Sequence, residues 1–438
     1  MLPTLDPEQL AERRAQLPLR PFPMLYFGWA HLCLLTATLT LALDPLGVAG
    51  FFYHPRMLAV VHLVTLGWIS SSILGALYLV LPMAFRAPLA KSRFDGWIFW
   101  LFVIGGLGMI SHFWIDAPSG MIWSAGTAVL GLILAAFRFL PALIRSPVPL
   151  AVKIHLWFAF ANILLAGLLG MAVGLNKFFP FLPGGPLSGV LAHAHLAILG
   201  WATLVVMAAG YRLIPMLLPA AVPVGRGLWV SAVLMETGTL ILATSLLIAP
   251  SWVVVGAVIS AAGIGAFGYQ LAWMRRHPKP APAARRVPDL GVLQVLMAIG
   301  YLGLAAVLGL TMVFADPGPW VLRAAMAYGV CLLLGFLSQL VVGVSSRIVP
   351  WAAYLWGFGD SGFQETPPSP HNLPPRSLQW VTFLAWISGI PAVGLGLTFD
   401  AIGLLRAGGG LLSLGVVAGG LQLVQILRRS ESFWTAKR

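Results

Sequence analysis

Charge is scarce in this chain. Asp and Glu number 13 and Lys and Arg 26 among 438 residues, so only 9% of the sequence is charged. Soluble domains carry roughly a quarter charged residues, and a chain with so few cannot cover a water-facing surface of its own size. Cysteine is scarcer still. Cys33 and Cys331 are the two thiols, each inside an apolar run; they exclude a disulfide framework or a cysteine-based metal site and read as small packing residues. No Cys-x-x-Cys-His occurs, which excludes an attached cytochrome c domain. The first 20 residues lack an apolar core and mix Asp6, Glu8, Glu12, Arg13, Arg14 and Arg20, the pattern of a cytoplasmic tail rather than a cleavable signal peptide.

Apolar length is what the chain has. It is 59% hydrophobic, with twelve apolar runs at roughly 25–44, 57–82, 96–114, 119–141, 151–174, 188–215, 227–248, 251–273, 291–314, 319–349, 378–399 and 401–426. About 20 residues of helix cross a ~30 Å hydrocarbon layer, and open sheets cannot satisfy their backbone there. The expected fold is all-α, a polytopic membrane bundle of about 12 transmembrane helices.

The net charge of +13 is a topology signal and does not point to nucleic acid. Arg86, Lys91 and Arg93 follow the second run, and Arg138, Arg145 and Lys153 surround the turn after the fourth. Arg275, Arg276, Lys279, Arg285 and Arg286 follow the eighth, and Arg428, Arg429, Lys437 and Arg438 follow the last. The alternate loops hold Arg56, Lys177 and Arg323 beside Asp44, Asp116, Asp316 and Asp400. By the positive-inside rule both termini are cytoplasmic, and the expected setting is a bacterial-type inner membrane.

One block recurs three times. It reads His62-Leu-Val-Thr-Leu-Gly67-Trp68 running to Pro82, His195-Leu-Ala-Ile-Leu-Gly200-Trp201 running to Pro215, and Val330-Cys-Leu-Leu-Leu-Gly335-Phe336 running to Pro350. Its first position lies 20 residues before the proline each time, and the copies start 133 and 135 residues apart. A period of that length implies three pseudo-symmetric four-helix repeats. The expected division is a tail (1–22), repeat 1 (23–148), repeat 2 (149–275), a linker (276–290), repeat 3 (291–427) and a second tail (428–438).

A histidine inside a membrane segment marks a functional candidate, because the ring needs a partner there. With the N-terminus inside, His62, His193 and His195 lie roughly 10 Å below the outer face at 1.5 Å per residue. His112 approaches from the same side, and His54 precedes the second helix. Two neutral imidazoles on facing helices are the usual axial ligands of a b-type haem. His62 and His195 hold equivalent repeat positions, so the expectation is that they share a cleft, with Gly67, Gly75 and Gly200 letting either a macrocycle or a neighbouring helix come close. His193 and His195, two apart, look in directions about 200° apart. His193 with His112 or His54 is therefore the candidate for a second haem or a copper ion. Arg56 and Arg323 are placed to pair with haem propionates. Glu236 lies mid-helix and suits a proton route or an interhelical hydrogen bond. Arg212 and Arg347 are expected to snorkel to the headgroups.

Twelve helices in three sets, outer-leaflet histidines and the pair in Ala192-His193-Ala194-His195-Leu196 resemble subunit I of the haem–copper oxidases. That superfamily includes the cbb3-type oxidases and nitric-oxide reductases, with the NnrS-like haem–copper membrane proteins as architectural relatives. The resemblance implies haem b and work in respiratory electron transfer or in nitric oxide or oxygen chemistry. It also implies a cytochrome c, cupredoxin or quinol as electron donor and further membrane subunits as partners, besides the lipid bilayer. The pattern departs from the family in two places: the tenth helix carries Val330 where a histidine is expected, and no His-His pair occurs. The copper site is thus not recognisable, and oxygen reduction does not follow from the resemblance. A haem-free transporter and a structural subunit of a respiratory complex are the alternatives that twelve helices also allow.

Overall fold

The computed structural model describes residues 17–281, 287–316, 318–358 and 369–435, and the side chains of all of these except 358 and 430–435. Twelve helices are long and apolar enough to cross a membrane: α1 (Pro21–Leu43), α2 (Pro55–Ala84), α3 (Phe94–Trp114), α4 (Pro118–Arg145), α5 (Leu150–Asn176), α6 (Ser188–Leu217), α7 (Arg226–Ile248), α8 (Pro250–Arg276), α9 (Leu290–Val313), α10 (Pro319–Gly357), α11 (Arg376–Thr398) and α12 (Ile402–Arg429). No strand occurs among the described residues, so the expected all-α membrane bundle is the observed architecture. Five helices, α1, α2, α4, α8 and α10, take proline within their first two positions, where the missing N–H costs no hydrogen bond. Two boundaries move outward. The tenth helix continues past Pro350 to Gly357, and the last stays helical to Thr435, across residues expected as a tail.

The repeat is visible as geometry. The third and fourth helices of each set pair closely (α3 with α4, α7 with α8, α11 with α12), and the last helix of each set packs on the first of the next (α4 on α5, α8 on α9, α12 on α1). This closes a ring around α2, α6 and α10. Of the most apolar stretch of those three, 72, 56 and 61% is buried inside the protein, against 22–44% for the other nine. The repeated block is therefore the inner helix of each set.

Each inner helix also changes winding at the same place. Leu63–Ser70, Leu196–Thr203 and Cys331–Ser338 are π-helical, beginning directly after His62, His195 and Val330. A wider turn frees carbonyls from their ordinary partners, and side-chain hydroxyls take some of them up. Ser71 donates to Leu66 O at 3.0 Å, Thr203 to Ile198 O at 2.9 Å and Ser338 to Leu333 O at 2.6 Å.

The glycine of each block receives the outer helix. A methyl group on Gly67 would lie 2.5 Å from Cys33 Cβ, one on Gly200 2.6 Å from Asn162 Cβ, and one on Gly335 2.5 Å from Tyr301 Cγ. Gly75 likewise abuts Tyr26 Cβ at 2.8 Å. Of the two readings open for these glycines, helix packing is the one realised: lipid supplies little hydrophobic drive between helices, and close backbone approach takes its place.

At the face where α1 starts, here the near face, buried polar groups tie the sets internally. Asp95, fully buried, accepts from Tyr78 Oη (2.9 Å) and from Arg138 Nε (2.6 Å). One repeat later Tyr211 meets Ser231 at 2.6 Å, and Ser231 also meets His155 Nε2 at 3.1 Å. Gly67→Ala should lower stability by about 1–3 kcal/mol through overpacking against Cys33. Gly28→Ala, with nothing within 4 Å, should leave the detergent melting temperature almost unchanged; equal losses in the two variants would contradict the wedge.

Candidate functional site: a histidine-lined cleft between the inner helices

Position along the inner helices decides which histidines meet. His62 stands at the first position of its block and His193 two residues before the first position of the next. They line one cavity enclosed by α2–α6, with Leu333 and Leu337 of α10 at its floor. His195 does not line it. The expected pairing of His62 with His195 is thus replaced by His62 with His193, because three-fold packing sets the first position of one inner helix against the position two residues earlier on the next.

The same rule places His195. Tyr328 lies 135 residues after His193 and so holds its equivalent position on α10. Tyr328 donates to His195 Nε2 at 3.4 Å, and the two rings stack at 6.2 Å and 28°. By the same sequence offset the third positions are Val330 on α10 and Val60 on α2, both buried, with Val330 set against Gly394 of α11. By offset the three positions therefore read His/His, His/Tyr and Val/Val.

Both histidines of the first cleft are anchored alike. His62 Nδ1 donates to Leu58 O and His193 Nδ1 to Ala166 O, each at 2.7 Å. An Nδ1–H held by a carbonyl fixes the tautomer and leaves the Nε2 lone pair for a ligand. Phe113 stacks on His62 at 4.7 Å and 24°. The His193 ring rests on Gly170, where a methyl group would lie 2.9 Å from Cε1. The walls are mainly apolar, with Ala125, Ala128, Gly167, Gly174 and Ala197 set among larger side chains such as Met109, Met121 and Trp201, and the space open to the centre of a water molecule is about 150 Å³.

The mouth opens at the far face, where Lys177 and Tyr53 line it and the Lys177 ammonium sits 5.7 Å from the Tyr53 ring centre. Burial pushes the Tyr53 phenol above its ordinary range, so it stays a hydrogen-bond donor. The expected cations lie elsewhere. Arg56 pairs with Asp44 at 3.4 Å and covers Trp114 at 5.2 Å, and neither it nor Arg323 lines the cavity.

His112 and His54 also stand apart. His112 Nδ1 donates to Gly108 O at 2.6 Å, and its ring is seated against Gly120 of α4. His54 is the residue before α2 begins, and its carbonyl starts that helix by accepting from Leu58 N. Among the described residues no group of three or more His, Cys, Asp or Glu could hold a metal ion. Glu236 accepts from Asn162 Nδ2 at 2.6 Å, which realises the interhelical bond. Arg212 donates to Ala84 O at 3.2 Å, while Arg347 pairs with Asp289 and donates to His371 Nδ1 at 2.7 Å, so neither simply reaches for headgroups.

Lys177, Tyr53 and Tyr328 are the site residues that sequence reasoning missed. Tyr328 was within reach through the 135-residue offset from His193; Lys177 carried only the signal of being a lone cation at the end of α5. Tyr328→Phe removes the hydrogen bond to His195 and should cost about 0.5–1.5 kcal/mol, at the lower end given its length. A melting curve unchanged from wild type would show that the bond contributes nothing.

No family model matches the chain, and the search of curated proteins finds no match to it.

Proposed function

We propose that the first cleft would hold haem b through His62 and His193, and that the protein serves respiratory electron transfer or the chemistry of a diatomic gas. The observation that carries this reading is the pair of imidazoles lining one apolar cavity, each with Nδ1 tied to a carbonyl and Nε2 left for a ligand. The mainly apolar lining suits the face of a macrocycle, and Lys177 with Tyr53 at the mouth suits two propionates.

When bound, such a group supplies a one-electron iron couple whose potential the surroundings set. The chain's own residues do the rest. Leu58 O and Ala166 O orient the rings, Phe113 packs one of them in place, and the apolar walls keep water from the centre. With two imidazoles to hold it, such a group would favour electron transfer over gas binding at this cleft. His112 and His54 are too scattered to support a copper site of their own, and His195 with Tyr328 forms a separate pair. In this reading the near face is cytoplasmic in a bacterial-type inner membrane. A cytochrome c or cupredoxin would deliver electrons at the far face, where the mouth opens; a quinol would deliver them from within the bilayer.

Optical spectra of the purified protein, expressed with ample haem, test the assignment. Wild type should show a Soret band and a sharp reduced α band. His62→Ala and His193→Ala should each abolish them, and His195→Ala should keep them. A colourless wild type would remove the proposal, and so would colour lost in His195→Ala but retained in His193→Ala.

A further inference from the structure

The third repeat holds a second cavity whose lining is unfinished. It lies on the near-face half of the bundle between α1, α2 and α9–α12, and four of its side chains carry a buried polar atom with no hydrogen-bond partner among the described residues: Trp68 Nε1, Gln294 Nε2, Thr382 Oγ1 and Trp386 Nε1. Each of these residues is at most 4% exposed. A buried donor left unpaired costs about 1–3 kcal/mol, and four around one cavity call for an occupant that accepts hydrogen bonds.

Size and charge define that occupant. The space open to the centre of a water molecule is about 30 Å³, or room for about two waters at 10–15 Å³ each. A ring-sized guest does not fit. No Lys, Arg, Asp or Glu lines the cavity, so an anion there would lack a counter-charge. Water accepts from the two indoles and the amide and can serve the threonine hydroxyl either way.

The cavity also leads somewhere. Gly291 at the start of α9, Gln379 at the start of α11 and Gln422 near the end of α12 line it on the near-face side. Its inner end is His31, ten residues or about 15 Å into α1, with Trp68 edge-on at 5.1 Å and 90°. His31 Nδ1 donates to Phe27 O at 2.8 Å, and among the described residues its Nε2 meets no hydrogen-bond partner.

We propose that the near-face half of the third cleft is a hydrated inlet, a site for a cluster of about two waters held by Trp68, Trp386, Gln294 and Thr382. Through it solvent, and protons with it, reach His31 in the middle of the bundle. The inlet does not depend on the haem reading, since it uses neither His62 nor His193.

Full-length protein in nanodiscs, incubated in deuterated buffer, gives the test through the slow exchange of histidine Cε1–H followed by mass spectrometry. His155 is the internal reference: it is fully buried, and both its nitrogens are bonded, to Ala151 O and Ser231 Oγ. His31 should exchange roughly tenfold faster than His155, because exchange reports solvent access. Hydroxyl-radical labelling should mark Trp68 and Trp386 several-fold more than Tyr211, which is fully buried with its hydroxyl bonded to Ser231 Oγ at 2.6 Å. Thr382→Val with Gln294→Leu should bring His31 down to the rate of His155. Wild-type His31 exchanging no faster than His155, indole labelling no greater than at Tyr211, or a folded double variant that still exchanges like wild type would each overturn the inlet. If the double variant does not fold, the two wild-type comparisons decide.

Discussion

Everything at the centre of this bundle rests on three glycines meeting three outer helices. Gly67, Gly200 and Gly335 let α1, α5 and α9 approach the inner helices to within a methyl group's reach of Cys33, Asn162 and Tyr301. In lipid that closeness is the main source of cohesion, since burying leucine against leucine gains little over leucine against an acyl chain. The contact fixes the rotation of each inner helix at its π-helical stretch. It thereby fixes which way the residue just before that stretch, His62, His195 or Val330, can face.

Rotation then becomes pairing. With three inner helices around one axis, a residue cannot face its own symmetry mate on one neighbour without facing away from the other. The arrangement adopted sets the first position of each block against the position two residues earlier on the next inner helix. One pair of histidines two residues apart on α6 therefore serves two clefts, with His193 looking back to His62 and His195 looking on to Tyr328. The unusual His-x-His sequence is the consequence of an inner helix lying between two clefts.

Much of the fold was legible because membrane helices announce themselves by length and the repeat announces itself by period. Twelve runs and a threefold recurring block follow from spacing and hydropathy, whereas the block's inner position shows only in the burial of α2, α6 and α10. The π-helical stretches were not legible: Leu63–Ser70 and Leu196–Thr203 have no composition that separates them from an ordinary apolar helix. The site was half legible. His62 and His193 could be named as candidates from their depth, but their pairing required knowing the rotation, which the glycine contacts set and the sequence does not state. Cation placement is a related case: Arg56 and Arg323 share the far end of the bundle with the cavity, yet its lining takes its cation from where α5 ends, at Lys177.

The three clefts show how a triplicated scaffold can diverge without loss of packing. The glycines and the winding change persist in all three copies, because losing either would separate an outer helix from the core. The residues facing the clefts are free of that constraint, and they differ: two histidines, a histidine with a tyrosine, two valines. Polar groups follow the same division. In the first set Asp95 joins Tyr78 to Arg138, in the second Ser231 joins Tyr211 to His155, and in the third Ser346 turns back to Gly343 O at 2.7 Å. The third cleft carries valine rather than imidazole toward the far face and orphaned donors toward the near face, around His31. The same packed frame thus leaves room for a polar lining in one half of a cleft and an apolar one in the other, because neither half bears on the glycine contacts that hold the outer helix.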